Sequence, residues 1–402
     1  MSSYLSLLKT PGVARIIGAQ LTARFPFGML SLAFLIHIEH VHHSYGAAGL
    51  VLATTSVGQA IAGPLTSRWM GHWGMRPVLI LTSVVCATAV GTVALVIMPV
   101  AAYMAVGFIA GLSTPPVQPA VRTIYPKMVN SRQLTPLFSL DASAQELIWV
   151  LGPVITTFLA IQVSTQTAIF AALTFMVGGG AWFIASPEVG RVRIPRSRRR
   201  IGAVLLRRPV LLATVTGFLL IGACAAVEAG VVATFGEGGS QAGVILGIFA
   251  IGSLIGGLML GHRPIGRWAL TMRMLGIAVG MALAAASLNF WWLALTLLIA
   301  GVGIAPALAV MFAIVSASVK FSETAEAYGW IGTGQLIGAA LGSAAAGLMI
   351  DRFQAPGAFW VAAGFATVGV IVPAVLVRWH PDLRGKDPSP IPDTEPVAVQ
   401  PS

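Results

Sequence analysis

The stretch SPEVGRVRIPRSRRRIGAVLLRRP, residues 186–209, carries eight arginines and lies between two long apolar segments. Most of the remaining chain consists of similar apolar stretches, and a helix that crosses a membrane needs about 20 such residues. Six stretches precede the arginine-rich segment and six follow it. The sequence therefore predicts an all-α polytopic membrane protein with twelve transmembrane helices in two six-helix bundles.

The predicted organisation has four parts: an N-terminal bundle over 1–185, a basic cytoplasmic linker over 186–209, a C-terminal bundle over 210–379 and a tail over 380–402. The tail is rich in proline and polar residues, so we expect it to be disordered. The predicted spans cover residues 16–38, 46–67, 77–98, 103–124, 137–161, 167–185, 210–235, 242–261, 269–288, 291–316, 328–349 and 356–377.

Charge distribution predicts the orientation. The 402-residue chain is 56% hydrophobic and only 9% charged, whereas soluble chains carry about 25% charged residues. With a cytoplasmic N-terminus, nearly all of the 24 Lys and Arg residues lie at or near cytoplasmic span ends, with Arg24 inside a span and Arg352 in an outer loop. This asymmetry predicts a protein of the inner or plasma membrane with both termini in the cytoplasm. The basic residues are scattered over short loops, which favours anionic lipids over nucleic acid as their partner.

The two halves resemble each other in sequence. An offset of 190 residues places Pro116 on Pro306, Gln145 on Gln335 and Gly152 on Gly342. Duplicated halves with a binding site between them are a recurring plan of secondary transporters. We therefore expect a central site at the interface of the two bundles.

Twelve spans in two halves with a basic loop between them resemble the major facilitator superfamily, over about residues 10–380. The loop GPLTSRWMGHWGMRP at residues 63–77 is similar to the loop motif of that family, with Gly71 and His72 in place of its Asp-Arg pair. The resemblance implies the fold of that superfamily and alternating access between two bundles. It assigns a gating loop to Arg68, Gly74 and Arg76.

The fifth span contains DASAQELIWVLGP at residues 141–153. An acidic residue followed by Gly152-Pro153 resembles the signature of exporters that exchange drugs or metabolites against protons, in which the pair bends the helix and leaves a seam against the opposite half. The arginine that such exporters often carry in their fourth span is absent, because Gly107 occupies that region.

Four ionisable residues within the predicted spans form the predicted charge network: Arg24, Asp141, Glu146 and Glu228. Each costs about 2.5–3.5 kcal/mol at mid-membrane, so such residues usually pair or face a cavity. Arg24 and Asp141 lie at equal depth and could form either a structural pair or a coupling network. Glu146 is a candidate proton or substrate site, or a structural hydrogen-bonding group. Glu228 could bind a cationic group, carry a proton, or contact solvent in an outer vestibule.

Polar residues and kinks suggest the substrate cavity. Proline frees helix carbonyls, which then need partners or a water-lined space. The predicted cavity residues are Gln118, Gln145, Gln335, Pro116 and Pro306. Four of the seven histidines cluster at the outer end of the first span, but their spacing fits no compact metal motif, and we expect no metal site there.

The sequence contains no G-x-S-x-G, no H-E-x-x-H and no P-loop, which argues against an enzyme or an ATP-driven pump. The favoured function is proton-coupled export of a small, partly apolar molecule by a monomer without a cofactor. Its expected partners are that substrate, protons and membrane lipids. One alternative is uptake of a nutrient or metabolite by the same fold. Another is a receptor or scaffold that transports nothing.

Overall fold

The computed structural model describes residues 2–197, 199–236 and 240–393. In this part of the chain, eleven helices are long and apolar enough to cross a membrane, and the apolar helix Ala269–Ala284 is shorter, with 16 residues. The predicted all-α polytopic fold is confirmed. In chain order the helices are α1 Val13–His42, α2 Tyr45–Trp73, α3 Met75–Leu95, α4 Val100–Lys127, α5 Ser131–Gln162, α6 Thr165–Ala185, α7 Arg208–Phe235, α8 Ser240–Leu260, α9 Ala269–Ala284, α10 Phe290–Ser316, α11 Phe321–Phe353 and α12 Ala355–Val375.

Three of these helices are interrupted near their middle. In α1 a 3₁₀ turn follows Arg24 and contains Pro26. In α4 the regular helix stops before Pro116 and resumes at Val117. In α10 the interruption falls at Gly303 rather than at Pro306. Pro306 is tolerated in the first turn of the second segment, because backbone N–H groups there have no intrahelical acceptor.

Both halves of the chain use the same glycine contacts to bring helices together. A Cβ atom on Gly152 would lie 2.8 Å from Gly28 Cα, where α5 crosses α1. A Cβ atom on Gly342 would lie 2.7 Å from Gly222 Cα, where α11 crosses α7. Small residues permit this close approach of backbones in lipid. Gly152 therefore packs against a helix of its own bundle, whereas the resemblance implied a seam against the opposite half.

The arginine-rich segment is tied to the start of α11. Within it, Pro187–Arg191 forms a short helix and Ala203–Leu206 a 3₁₀ turn. The Glu323 carboxylate lies 3.2 Å from Arg199 Nε and 2.9 Å from Arg207 Nη2. We call the end of the molecule that holds this segment, the end of α2 and the start of α11 the basic face.

The tail also binds the start of α11, contrary to the prediction of disorder over 380–402. Ile391 N donates to Val319 O at 2.9 Å, and Phe321 N donates to Ile391 O at 3.0 Å. The Asp393 carboxylate accepts from Ser322 N at 3.1 Å and from Ser322 Oγ at 2.6 Å. The first N–H groups of a helix need external acceptors, and the tail supplies them here. Residues 394–402 lie outside the described part.

The bundles contact each other through α2 and α11 and through α5, α8 and α10. Thr333 Oγ1 donates to Ala60 O at 2.7 Å, and Ser139 Oγ donates to Gly257 O at 2.7 Å. Among the described residues, the inter-bundle hydrogen bond farthest from the basic face joins Ser253 to Glu146. The two bundles are therefore closed against each other between the basic face and the middle of the membrane.

Candidate functional site

Two arginines and one aspartate meet inside the N-terminal bundle. Asp141 Oδ2 accepts from Arg122 Nε at 3.1 Å, and Asp141 Oδ1 lies 3.4 Å from Arg24 Nη1. Arg24 is 4% exposed, Arg122 is 1% exposed and Asp141 is fully buried. The structure thus brings together helices α1, α4 and α5, and we call these three residues the arginine–aspartate cluster.

Two neutral side chains complete the bonding of Asp141. Gln20 Nε2 donates to Asp141 Oδ1 at 2.9 Å, and Tyr125 Oη donates to the same oxygen at 3.1 Å. Gln20 Oε1 in turn accepts from Arg24 Nη1 at 2.8 Å. Hydrogen bonds to an ionised group are roughly twice as strong as bonds between neutral groups. Asp141 therefore accepts hydrogen bonds from four side chains and is buried among them.

Arg122 and its partners were missed in the sequence analysis. Arg122 lies two residues before the predicted end of the fourth span and was grouped with the basic residues of the cytoplasmic side. In the structure α4 continues to Lys127, so Arg122 lies more than one helical turn from the end of the span. Its guanidinium lies over the Phe312 ring of the C-terminal bundle, 3.4 Å from the ring centroid. The available signal was spacing, because Gln118 and Arg122 are four residues apart and share a helix face.

Two glutamines also bind the two arginines. Arg24 Nη2 donates to Gln145 Oε1. The Gln118 carboxamide, with its oxygen directed at Arg122, accepts from both Nη atoms at 2.6 and 2.7 Å. Both glutamines are half-buried. The predicted cavity residues Gln118 and Gln145 therefore bind the two arginines of the arginine–aspartate cluster, and their role in lining the substrate path remains a prediction.

A second charged group lies across the interface of the bundles. Glu146 of α5 accepts from Ser253 Oγ of α8 at 2.9 Å, and Ser253 Oγ also accepts from Ala305 N of α10 at 3.2 Å. Glu228 lies on α7 of the opposite bundle, and Cys224 precedes it by one helical turn. Glu146 is half-buried and Glu228 is exposed. We call Glu146 and Glu228 the carboxylate pair.

Neither member of the carboxylate pair has an ion-pair partner in residues 2–197, 199–236 and 240–393, where the arginines Arg24 and Arg122 are bound to Asp141. An ionised carboxylate in an apolar environment costs free energy unless it is paired or hydrogen-bonded. A role of Glu146 and Glu228 in binding a proton or a cation remains a prediction.

The remaining predicted cavity residues lie apart from these two groups. Gln335 is half-buried in α11 and packs against Gly217 of α7. Pro116 and Pro306 are buried, and Pro306 O accepts from Arg273 Nη1 of α9 at 2.6 Å. A role of these three residues in lining the substrate path remains a prediction.

The gating loop connects the bundles at the basic face. Arg68 Nη1 lies 3.1 Å from Glu326 Oε2 of α11, and Glu326 Oε1 accepts from Gly202 N at 2.7 Å. The acidic partner that the loop motif lacks is therefore supplied by the opposite bundle. Gly74 separates α2 from α3 and has a φ of 90°. Glycine adopts such a positive φ more readily than other residues. Arg76 donates to the carbonyls of Ile184 at 3.1 Å and Ser186 at 3.3 Å, near the end of α6.

Two of the four histidines at the outer end of α1 contact neighbouring helices. His37 is buried, with Nδ1 2.9 Å from Thr165 Oγ1, and the His42 ring packs edge-on against Tyr103. In the part of the chain that the structure describes, no group of three or more His, Cys, Asp or Glu side chains could hold a metal ion.

Comparisons with known proteins address the fold as a whole. The family model described as Major Facilitator Superfamily matches residues 16–263 and 225–400. A search of curated proteins found no match.

Among solved structures, the human organic anion transporter MFSD10 (TETRAN) is similar with a TM-score of 0.70 and 17% identity, over 90% of this chain and 98% of that chain. A bacterial homologue of the iron transporter ferroportin in an outward-facing state has a TM-score of 0.73 and 12% identity, over 91% and 98% of the two chains. The proton:xylose symporter XylE bound to 6-bromo-6-deoxy-D-glucose has a TM-score of 0.69 and 14% identity, over 93% and 97%. At these identities the similarity concerns the fold alone.

Proposed function

We propose that this chain, which belongs to the Major Facilitator Superfamily, exports a small, partly apolar molecule and that this export is coupled to protons. Members of this family are secondary transporters and not enzymes. The observation that supports proton coupling is Glu146, which accepts a hydrogen bond across the interface of the bundles and has no ion-pair partner among the described residues.

The hydrogen bond of Glu146 gives the proton a structural consequence. Ser253 donates to Glu146 across the interface between α5 and α8. This bond is charge-assisted when Glu146 is ionised and weaker when Glu146 is protonated. Protonation of Glu146 therefore weakens one contact that holds the bundles closed. Alternating access would follow as the bundles separate at the basic face and close at the opposite end.

The export direction is supported by the sparse polar lining of the interface and by the fifth-span signature. The described polar groups at the interface are few, and the surrounding segments of α7 and α10 are apolar. This composition suits a partly apolar substrate rather than a sugar, whose many hydroxyl groups require hydrogen-bonding partners.

Retention of a panel of dyes, antibiotics and metabolites in cells that overproduce the protein tests this proposal. We expect lower retention than in control cells, and we expect a protonophore or Glu146→Gln to abolish the difference. Asp351→Asn is the matched control, because Asp351 is an exposed carboxylate at the end of α11 farthest from the basic face. Accumulation instead of depletion would reverse the direction and favour uptake. Depletion that persists with both the protonophore and Glu146→Gln would contradict proton coupling.

We further propose that the basic face is cytoplasmic in the inner or plasma membrane, because its arginines follow the positive-inside rule. The protein is expected to act as a monomer. Both native cysteines are buried, so a cysteine introduced at Lys9 can be labelled selectively. Protection of this cysteine from a membrane-impermeant maleimide in intact cells, with labelling after lysis, is the expected result.

A further inference from the structure

The arginine–aspartate cluster carries more positive than negative charge. Among the described residues, Asp141 is the one carboxylate that forms an ion pair with Arg24 or Arg122, and both arginines keep their charge in proteins. Glu146, the next carboxylate along α5, is bonded to Ser253 of the opposite bundle instead. Because a buried charge without a counter-ion costs free energy, a further negative charge would stabilise the cluster.

Neutral groups occupy the remaining donors of the two guanidiniums. The Gln118 carboxamide oxygen accepts from both Nη atoms of Arg122 at 2.6 and 2.7 Å, and Gln145 Oε1 accepts from Arg24 Nη2. A carboxylate is planar like a carboxamide, but it is charged and binds a guanidinium through two parallel hydrogen bonds. The carboxylate of a bound molecule would therefore exchange favourably with the Gln118 oxygen.

An aromatic ring of the opposite bundle covers the Arg122 guanidinium. The Phe312 ring centroid lies 3.4 Å from Arg122 Cζ, and a ring face attracts a cation less strongly than a carboxylate does. Arg122 lies toward the basic face, since Lys127 at the end of α4 has its Nζ 4.5 Å from the Phe321 ring centroid at the start of α11. Separation of the bundles at the basic face would therefore remove the ring and uncover the guanidinium.

We propose that the exported molecule carries a carboxylate, and that Arg122 binds this group when the bundles separate at the basic face. The carboxylate replaces the Gln118 oxygen, and Arg24 supplies the second positive charge of the site. When the bundles close, the Phe312 ring returns to Arg122 and displaces the carboxylate, which favours release of the substrate. This inference rests on the proposed export and adds the charge class of the substrate. The apolar segment of α10 around Phe312 suits the uncharged part of such a molecule.

Binding to the full-length protein, purified in detergent, tests this proposal. Three probes of similar size differ in charge: phenylacetate is an anion, phenylacetamide is its neutral isostere and 2-phenylethylammonium is a cation. Affinity is measured by calorimetry at one constant concentration of sodium chloride. We expect phenylacetate to bind at least about tenfold more tightly than either other probe, a difference of about 1.4 kcal/mol. Millimolar phenylacetate that does not bind, or that binds no more tightly than phenylacetamide, would overturn the proposal.

A carboxylate built into the protein isolates the excess positive charge. Gln118→Glu places this group beside Arg122, and we expect it to raise the unfolding temperature and to weaken phenylacetate binding at least about tenfold. Gln162→Glu is the matched control at the exposed end of α5 and should leave both unchanged. A cluster that is already balanced would be destabilised by Gln118→Glu, because a further charge within a span is costly. A lower unfolding temperature of this variant would therefore overturn the proposal.

Two further variants separate a carboxylate site from a merely structural cluster. Arg122→Lys keeps the charge and should retain the preference for phenylacetate over phenylacetamide, even if affinity falls. Phe312→Leu removes the competing ring and should tighten phenylacetate binding, whereas a structural role of the ring predicts no such gain. Loss of the preference in a folded Arg122→Lys protein, or weaker phenylacetate binding in Phe312→Leu, would contradict the proposed exchange at Arg122.

Failure of the carboxylate site can be distinguished from failure of the proposed function. Proton-dependent export that Glu146→Gln abolishes, in a protein without a preference for phenylacetate, would overturn the carboxylate site and leave proton-coupled export intact. Preferred binding of phenylacetate that Gln118→Glu removes, in a protein that exports no compound of the panel and no phenylacetate, would support the site and contradict the proposed function.

Discussion

The two bundles share helix crossings but differ in the side chains at equivalent positions. An offset of 190 residues relates Arg122 to Phe312 and Asp141 to Ile331. The N-terminal bundle thus holds a buried charge cluster where the C-terminal bundle holds a ring and an aliphatic side chain. Arg122 also lies over Phe312 itself, so the two equivalent residues contact each other across the interface. The duplicated scaffold is kept, and the arginine–aspartate cluster is present in one half only.

The two bundles are stabilised in different ways within one fold. The second segment of α10, Ile304–Ser316, is buried along its whole length, and its packing is apolar. The equivalent part of α4 carries Arg122, whose burial is acceptable only because Asp141 and Gln118 are in place. One bundle therefore gains order from packing, whereas the other depends on a specific set of hydrogen bonds. Glu146 joins the two bundles through its hydrogen bond to Ser253.

The largest expected effect comes from removing the negative charge of the cluster. Asp141→Asn leaves Arg24 and Arg122 without their counter-ion, and breaking a buried ion pair costs about 3–5 kcal/mol. At the equivalent position, Ile331→Val should cost only about 0.5–1.5 kcal/mol. Thermal unfolding of both purified variants measures the difference. Equal stability of the two would contradict the contrast drawn between the bundles.

The two equivalent glutamines provide a second test. Gln145 accepts a hydrogen bond from Arg24, and a bond to a charged group contributes about 1.5–3 kcal/mol. We therefore expect Gln145→Leu to lower stability and transport substantially, and Gln335→Leu to change them much less. Unfolding temperature and transport rate are measured on both variants. A larger loss of stability and transport in Gln335→Leu would indicate that the functional polar site lies in the C-terminal bundle.

The contact between Arg122 and Phe312 can be isolated by a double-mutant cycle. Arg122→Met and Phe312→Leu, alone and combined, should give a coupling energy of about 0.5–2 kcal/mol, as expected for a cation over a ring in a desolvated site. The free energies of unfolding of the four proteins supply this value. Additive effects of the two substitutions would mean that the equivalent residues pack together without a specific interaction.

The smallest expected effect is at the basic face. Arg68 is partly exposed, so Arg68→Gln should remove only about 0.2–1 kcal/mol, and the loss should shrink at high salt. The substitution should also shift the balance between conformations toward one in which α2 and α11 are separated. We expect faster labelling of a cysteine introduced at Ala60, which lies where α2 contacts α11. Labelling that stays at the wild-type rate would show that α2 and α11 are held together by packing alone.

Sequence patterns predicted the fold well because the membrane imposes long apolar helices with basic residues on one side. Equal depth along two helices indicated that Arg24 and Asp141 could meet, and the structure places them 3.4 Å apart. Gln20 and Tyr125 carried no comparable signal, since neutral polar residues near span ends are common. The burial of Arg122 within the span was not predicted, because composition does not locate the end of a span to within one helical turn.

The contact between Glu146 and Ser253 depends on how α5 and α8 pack across the two bundles, which no local pattern encodes. For the tail, by contrast, local composition predicted less order than the structure has. Its composition indicates disorder, yet Ile391 and Asp393 are bound because the start of α11 offers N–H groups without helical acceptors. Local composition describes what a segment can do alone, whereas these contacts depend on the partner.

The attachment of Asp393 to Ser322 has a practical consequence for handling the protein. The helix that it caps also carries Glu326, the residue that links the two bundles through Arg68. Shortening the chain at residue 380, or proteolytic clipping during purification, would uncover the start of α11 and alter the bundle interface from a distance. An affinity tag is better placed after residue 402 than in exchange for the tail, and the intact C-terminus should be checked by mass spectrometry before any transport rate is compared.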